Sequence, residues 1–231
     1  VGAVTGPSAG RRVLTEERFA AVLLDSDSTL VDSAAAVRRS WVAWARRFGV
    51  PAERLGETHG MPSRQTIARL DRELDLGLDL ELAGAVFDEI ELNDLHDVVA
   101  LPGALDALVA LGDRAAVVTS ADRALASARL RAAGLPEPEV LVCSDDVERG
   151  KPDPAPYREA AARMGADPAA CLVVEDSPAG LRSGRSAGAA TLALLTTTPR
   201  DQLGEADLVV PDLSRVRLGV DAGGSWLVPR A

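Results

Sequence analysis

Asp25 and Asp27 stand two residues apart, directly after the apolar run Ala20-Ala21-Val22-Leu23-Leu24. A run this short suits a fully buried strand, and the ends of such strands are where open α/β sheets take their ligands. Two unpaired acids buried there would each cost roughly several kcal/mol through desolvation and mutual repulsion. A cationic partner is therefore expected, and a divalent metal is the simplest one. The plainer alternative for the pair taken alone is a solvated acidic turn, and the rest of the chain weighs against that.

Further polar clusters follow three more apolar runs. Thr119-Ser120-Ala121-Asp122 comes after Ala115–Val118. Ser144-Asp145-Asp146 and Gly150-Lys151-Pro152-Asp153-Pro154 come after 140–143, and Glu175-Asp176-Ser177-Pro178-Ala179-Gly180 after 171–174. In a parallel sheet such positions converge on one edge, which would carry Asp25, Asp27, Thr119, Ser120, Lys151, Glu175 and Asp176. Acids for a hard cation, a hydroxyl, a lysine and helix N-termini form a site for a phosphoryl group with Mg²⁺. The chain has no G-x-x-x-x-G-K-[ST] loop, which excludes a nucleotide-binding P-loop. Taken singly, each residue has a plainer reading. Lys151 would be a surface lysine, Ser120 a turn residue, Asp176 a helix N-cap before Pro178, and Asp145 and Asp146 loop groups.

The elements that must position these residues are legible in outline. Val37, Trp41, Trp44 and Phe48 form one apolar stripe over Ala34–Phe48, closed by Gly49 and Pro51. After a break at 56–62 a second helix opens at Ser63 with Ile67, Leu70 and Leu74, and a third runs from about Leu80 to His96. Residues 34–98 thus read as purely helical, an insertion between two pieces of an α/β domain. Beyond Pro102-Gly103, strands and helices alternate, the signature of a doubly wound parallel sheet. A terminal hairpin over 216–228, turning near Gly223-Gly224, completes the expected domain layout. That layout is a core of 19–33 and 99–231, a cap of 34–98, and a partly disordered segment 1–18. Leu227-Val228-Pro229-Arg230 reads either as native chain or as a protease-site remnant.

With 231 residues, 47% hydrophobic and 26% charged, the chain has the composition of a soluble globular protein. Aromatics make up 3%, so Ala, Leu and Val must build the core. A net charge of −10 and a pI near 4.8 argue against nucleic acid or an anionic membrane as partner. Cys143 and Cys171 lie in apolar runs and read as buried thiols. Without a signal peptide or an apolar stretch near about 18 residues, a cytoplasmic protein is expected.

The stretch Asp25-Ser26-Asp27-Ser28-Thr29-Leu30-Val31-Asp32-Ser33 resembles the first motif, D-x-D-G-T-[LV]-x-D-S, of the haloacid dehalogenase superfamily. Thr119-Ser120 resembles the second motif, Gly150-Lys151-Pro152 the third, and Val174-Glu175-Asp176-Ser177-Pro178-Ala179-Gly180 the fourth. The four occur in order, and the helical insertion is similar to the small cap of that superfamily. Trp41, Trp44-Ala45-Arg46-Arg47, His59-Gly60, Leu101-Pro102-Gly103-Ala104 and the stretch from Gly150 to Tyr157 resemble sugar-phosphate and glycerol-phosphate phosphatases.

The resemblance implies a Mg²⁺-dependent phosphatase for a small phosphorylated sugar, polyol or related metabolite. Asp25 would attack phosphorus and become an aspartyl-phosphate. Asp27 would protonate the leaving oxygen and then activate water. Asp176, Asp25 and the backbone carbonyl of Asp27 would bind Mg²⁺ directly, with Glu175 acting through water. Ser120 and nearby amides, with Thr119 and Ala121, would hold a phosphate oxygen, and Lys151 would neutralise nucleophile and phosphate. His59 and Arg64 would face the substrate from the cap, while His96 reads as a solvated residue near a helix end. A phosphosugar mutase of the same superfamily and a catalytically silent binding module are the alternatives; the protein is expected to be a monomer or weak homodimer. Two departures stand out. Ser28 replaces the usual Gly, which costs roughly 1–2 kcal/mol if that position needs φ > 0, and Ala121 stands where relatives often carry Gly.

Overall fold

The computed structural model describes residues 12–55 and 63–229. In chain order it contains β1 (Ala21–Leu24), β2 (Val31–Asp32), α1 (Ala34–Phe48), α2 (Ser63–Leu74), α3 (Leu80–Asn93) and β3 (Val99–Ala100). There follow α4 (Ala104–Leu111), β4 (Ala115–Val118), α5 (Arg123–Ala132), β5 (Val140–Val142), α6 (Ala155–Arg163), β6 (Cys171–Glu175) and α7 (Pro178–Ala187). The chain closes with β7 (Ala190–Leu194), β8 (Leu208–Val210), β9 (Val216–Asp221) and β10 (Gly224–Pro229).

Six parallel strands form one sheet in the order β5-β4-β1-β6-β7-β8. Strands β1, β4, β6 and β7 are buried along their whole length, which is why they read as continuous Ala, Val and Leu rather than as alternating patterns. Successive residues serve opposite layers. Val22 and Leu24 join one apolar cluster with Leu172 and Leu192, while Ala21 and Leu23 join the other with Val118, Tyr157 and Val173. The chain leaves β1 in one direction for β4 and β5, then crosses back to β6, β7 and β8. The topological switch point therefore lies beside β1, where doubly wound sheets bind ligands.

Helices α1, α2 and α3 have a core of their own. Trp41, Trp44, Ile67, Leu70, Val86 and Phe87 pack together, and the Trp44 indole N–H donates to the Ala83 carbonyl at 2.8 Å. A two-residue antiparallel ribbon, Val31 with Ala100 and Asp32 with Val99, joins this unit to the sheet. The ribbon flanks the helical stretch 34–98 and leaves no hint in the sequence, because two residues are too few for a periodic signal.

The third helix ends three residues before His96. Arg39 on α1 grips Asp94 and Asp97 at 2.7–2.8 Å, and Val98 turns inward into the sheet layer; a continuing helix would forfeit both. His96 is exposed beside Asp94. Residues 12–18, which carry no periodic pattern, nonetheless dock. Leu14 is buried, and the Arg12 amide donates to Asp207 at 3.1 Å.

The β9–β10 hairpin forms as the sequence suggests, and Leu227–Pro229 pair with Val216–Leu218. Arg230 lies outside the described residues. Both cysteines are free and buried, and burial raises their thiols, Cys143 to about 12 and Cys171 to about 11. No described helix is long and apolar enough to cross a membrane.

Candidate active site

Four strand ends bring the polar clusters together. Asp25 follows β1, and its amide donates to Val174 on β6 at 2.9 Å, which locks the turn to the sheet. Thr119 follows β4 and continues its ladder to Val142 at 2.9 Å. Glu175 ends β6, with Asp176 next to it. The Gly150-Lys151-Pro152 loop, whose Lys151–Pro152 peptide is cis, carries Lys151 across to meet them.

Lys151 is the hub. Its Nζ donates to Asp25 Oδ1 at 2.6 Å, to Glu175 Oε1 at 2.7 Å and to the Val118 carbonyl at 2.9 Å, and it lies 5.1 Å from the Tyr157 ring centroid. Burial alone would lower this ammonium's pKa; Asp25 and Glu175 outweigh it and hold the pKa well above the usual lysine range. The surface reading of Lys151 is thereby replaced by a buried one.

Glu175 is fully engaged. Oε1 accepts from Lys151 and from Tyr157 Oη at 2.9 Å, while Oε2 accepts from the Asp176 and Ser177 amides and the Ser177 hydroxyl. Gly180 makes room for it, since a Cβ there would lie 1.7 Å from Glu175 Oε1. The helix α7 N-cap is Ser177, whose Oγ accepts from the Gly180 amide at 3.0 Å. Asp176, expected to share that capping role, is instead aimed at the loop after β7, where Thr197 Oγ1 donates to its Oδ2.

Asp25, Glu175 and Asp176 each place one carboxylate oxygen within 4.8 Å of the others. Burial raises the Asp25 carboxyl well above its ordinary value despite Lys151. Burial, then the charge of Glu175, pushes Asp176 up to about 7. Three carboxylates sharing one ammonium leave negative charge unmet, and an all-oxygen donor set with that deficit fits a hard divalent cation.

Asp27 sits on the same loop but faces elsewhere. Its Oδ1 accepts from Ser33 Oγ at 2.6 Å and forms an ion pair with Arg129 at 3.0 Å. The loop is shaped by three amides, of Thr29, Leu30 and Val31, converging on the Ser26 carbonyl. It places Ser28 at φ +66°, with its carbonyl accepting from Thr196 Oγ1. The condition set for Ser28 is therefore met, and serine pays for a left-handed conformation that glycine adopts freely. Ser28→Gly should raise stability by about 0.5–1 kcal/mol once glycine's extra unfolded-state entropy is subtracted, lifting Tm by about 2 °C. A thermal melt showing a lower Tm would mean that the Ser28 side chain contributes more than its strain.

The chain matches the haloacid dehalogenase-like hydrolase family over residues 19–188. It belongs to that family. Among curated relatives, this hydrolase is 38% identical to hexitol phosphatase A of Escherichia coli over 89% of the chain and 97% of the relative. It is 34% identical to validoxylamine A 7'-phosphate phosphatase of Streptomyces hygroscopicus, over 86% and 96%. Among solved structures, CbbY from Rhodobacter sphaeroides in complex with phosphate superposes with a TM-score of 0.73 at 25% identity, covering 85% of the chain and 95% of that structure.

Of the residues anticipated for the hydrolase's site, Asp25, Lys151, Glu175 and Asp176 meet directly. Thr119 Oγ1 accepts from the Ala121 amide at 3.1 Å, closing the β4–α5 turn on which half-buried Ser120 stands. Arg64 pairs with Asp88 and Glu81 of α3, at 2.7 and 3.8 Å. His59 lies outside the described residues. Asp145 and Asp146 serve the β5 loop, binding the amides of Arg123 and Cys143.

The structure adds Tyr157, Thr196, Thr197, Ser33, Arg129 and Glu91. Thr196 and Thr197 had a readable signal, since they too follow an apolar run that ends in a buried strand. Arg129 had a weaker one: it shares the buried stripe of α5 with Leu125, Ala126 and Leu130, an odd place for a cation.

Proposed function

We propose that this hydrolase is a Mg²⁺-dependent phosphatase of a small phosphorylated sugar or polyol, working through phosphorylated Asp25. The observation that carries the reading is the convergence of Asp25, Asp176 and Lys151 at the switch point of the sheet. The phosphatase names of its relatives support the same class of reaction.

In this reading an Asp25 carboxylate oxygen forms a bond to phosphorus as the bond to the sugar oxygen breaks. The protonated Asp27 carboxyl gives its proton to that departing oxygen. Asp27, now a carboxylate, then takes a proton from a water that attacks phosphorus and releases Asp25 with inorganic phosphate. Lys151 orients Asp25 and neutralises charge at the transferring group. Ser120 and the amides of its turn receive a phosphate oxygen, with Thr119 holding that turn closed. Asp25, Asp176 and the Asp27 carbonyl would hold Mg²⁺, with Glu175 shaping the site from behind, and the ion would supply charge stabilisation at the phosphoryl oxygens.

Phosphate release from a panel of hexitol, sugar and glycerol phosphates, with and without EDTA, tests this. Metal-independent turnover would overturn the mechanism, and an isomerised product without free phosphate would point to a mutase. Asp176 gives a second check. With its folded pKa raised to about 7, the metal-free protein favours the protonated acid, and this contribution to stability is lost as pH rises through about 7. A cation binds only the ionised form. The gain in Tm on adding Mg²⁺ should therefore be small below pH of about 6 and grow through about 7. A Mg²⁺ shift that ignores pH over that range would remove Asp176 from the ligand set.

A further inference from the structure

Arg129 is buried on α5, and its guanidinium spans two elements. One nitrogen donates to Glu91 of α3 at 2.7 Å, and another pairs with Asp27 Oδ1 at 3.0 Å. All three groups sit where the helical unit meets the sheet layer. Ser33 Oγ approaches the same Asp27 oxygen at 2.6 Å, and among the described residues no hydrogen bond reaches Oδ2. Arg129 Nε is buried without a partner among the described residues.

Such an arrangement is poor value as a structural strut. Apolar side chains of similar volume often replace a buried ion pair at no loss, or with a gain, in stability, and an unpartnered buried N–H is a cost. What the planar fork does offer is fixed direction toward carboxylates. With Oδ1 clamped between Ser33 and Arg129, the Asp27 carboxyl has one orientation, and Oδ2 is the oxygen left to exchange a proton.

We propose that Arg129 is a positioning residue for Asp27, anchored from the helical unit by Glu91, so that Asp27 is aligned only while α3 is docked on α5. The inference rests on the proton-transfer reading of Asp27. It adds that alignment of this acid is conditional on the seating of the cap helix, and that the condition is carried by one guanidinium.

The experiment compares wild type with Arg129→Lys, Glu91→Gln and the double variant Glu91→Leu with Arg129→Met. The readouts are Tm, affinity for inorganic phosphate, and kcat and KM on whichever sugar or polyol phosphate the wild type hydrolyses. The double variant should keep or exceed the wild-type Tm and bind inorganic phosphate within about twofold. Its kcat should nevertheless fall about 10- to 100-fold with KM little changed, a fraction of what a general acid supplies. Arg129→Lys should recover part of the loss. The loss should be larger for a polyol phosphate than in the single-turnover burst with para-nitrophenyl phosphate, whose leaving group departs without a proton.

A stable double variant with wild-type kcat overturns the proposal, as does a loss equal for both leaving groups. Should the double variant not fold, Glu91→Gln decides. It leaves the fork in place but weakens its anchor, so kcat should fall several-fold at unchanged or raised Tm, and an unchanged kcat overturns the anchoring role. A wild-type protein that releases phosphate from no substrate overturns the phosphatase reading itself, a separate result.

Discussion

Asp25→Asn should lower turnover by at least about 10⁴-fold while leaving the protein folded. The loss is large because a nucleophile acts as one unit with its acid and its charge partner, and removing it forfeits most of what the unit achieves together. The fold should survive because Lys151 retains Glu175 and the Val118 carbonyl as acceptors. Burial already raises the Asp25 carboxyl, so a neutral amide relieves desolvation and Tm should stay level or rise. The measurement pairs steady-state phosphate release with a melt. Residual activity within tenfold of wild type would show that phosphorus is attacked by water directly and not by this carboxylate.

Lys151→Met should damage both stability and activity. Its Nζ is bonded to two buried carboxylates, and the side chain is 5% exposed. Removing one partner of a buried ionic group costs about 3–5 kcal/mol, because the remaining charges lose their compensation. Urea unfolding should show a loss of that size, and phosphate release should disappear. Adding Glu175→Gln should restore part of the stability, since one stranded charge is gone, but none of the activity. If Lys151→Met unfolds at the wild-type urea concentration, the ammonium is not what balances Asp25 and Glu175.

The family, the α/β class and the identity of the acids were all within reach of the sequence, for a local reason. A fully buried strand must be a short apolar run, and whatever follows it must be polar. Asp25, Thr119 and Glu175 are therefore each announced by the residues just before them, while Lys151 stands nine residues beyond the end of β5. The first helix was legible to the residue because Gly49 ends it in a left-handed cap at φ +68°. The third helix was not, because its end is set by Arg39, an α1 residue far away in the chain. Ser28 is a mixed case. Its identity marked a departure from the motif, but only the backbone revealed φ +66°.

What the amino-acid sequence determined alone is the inventory: which strands are buried on both faces, which acids stand at their ends, and that one lysine follows them. Only the tertiary structure decided who partners whom. The β5-β4-β1-β6-β7-β8 order puts Asp25 beside Glu175 and Lys151, and the seating of α3 on α5 gives Asp27 an arginine that no motif in the sequence ties to it. Strand character arises from neighbours along the chain, whereas ion pairs between groups 24 to 126 residues apart exist only after the sheet and the helices have closed.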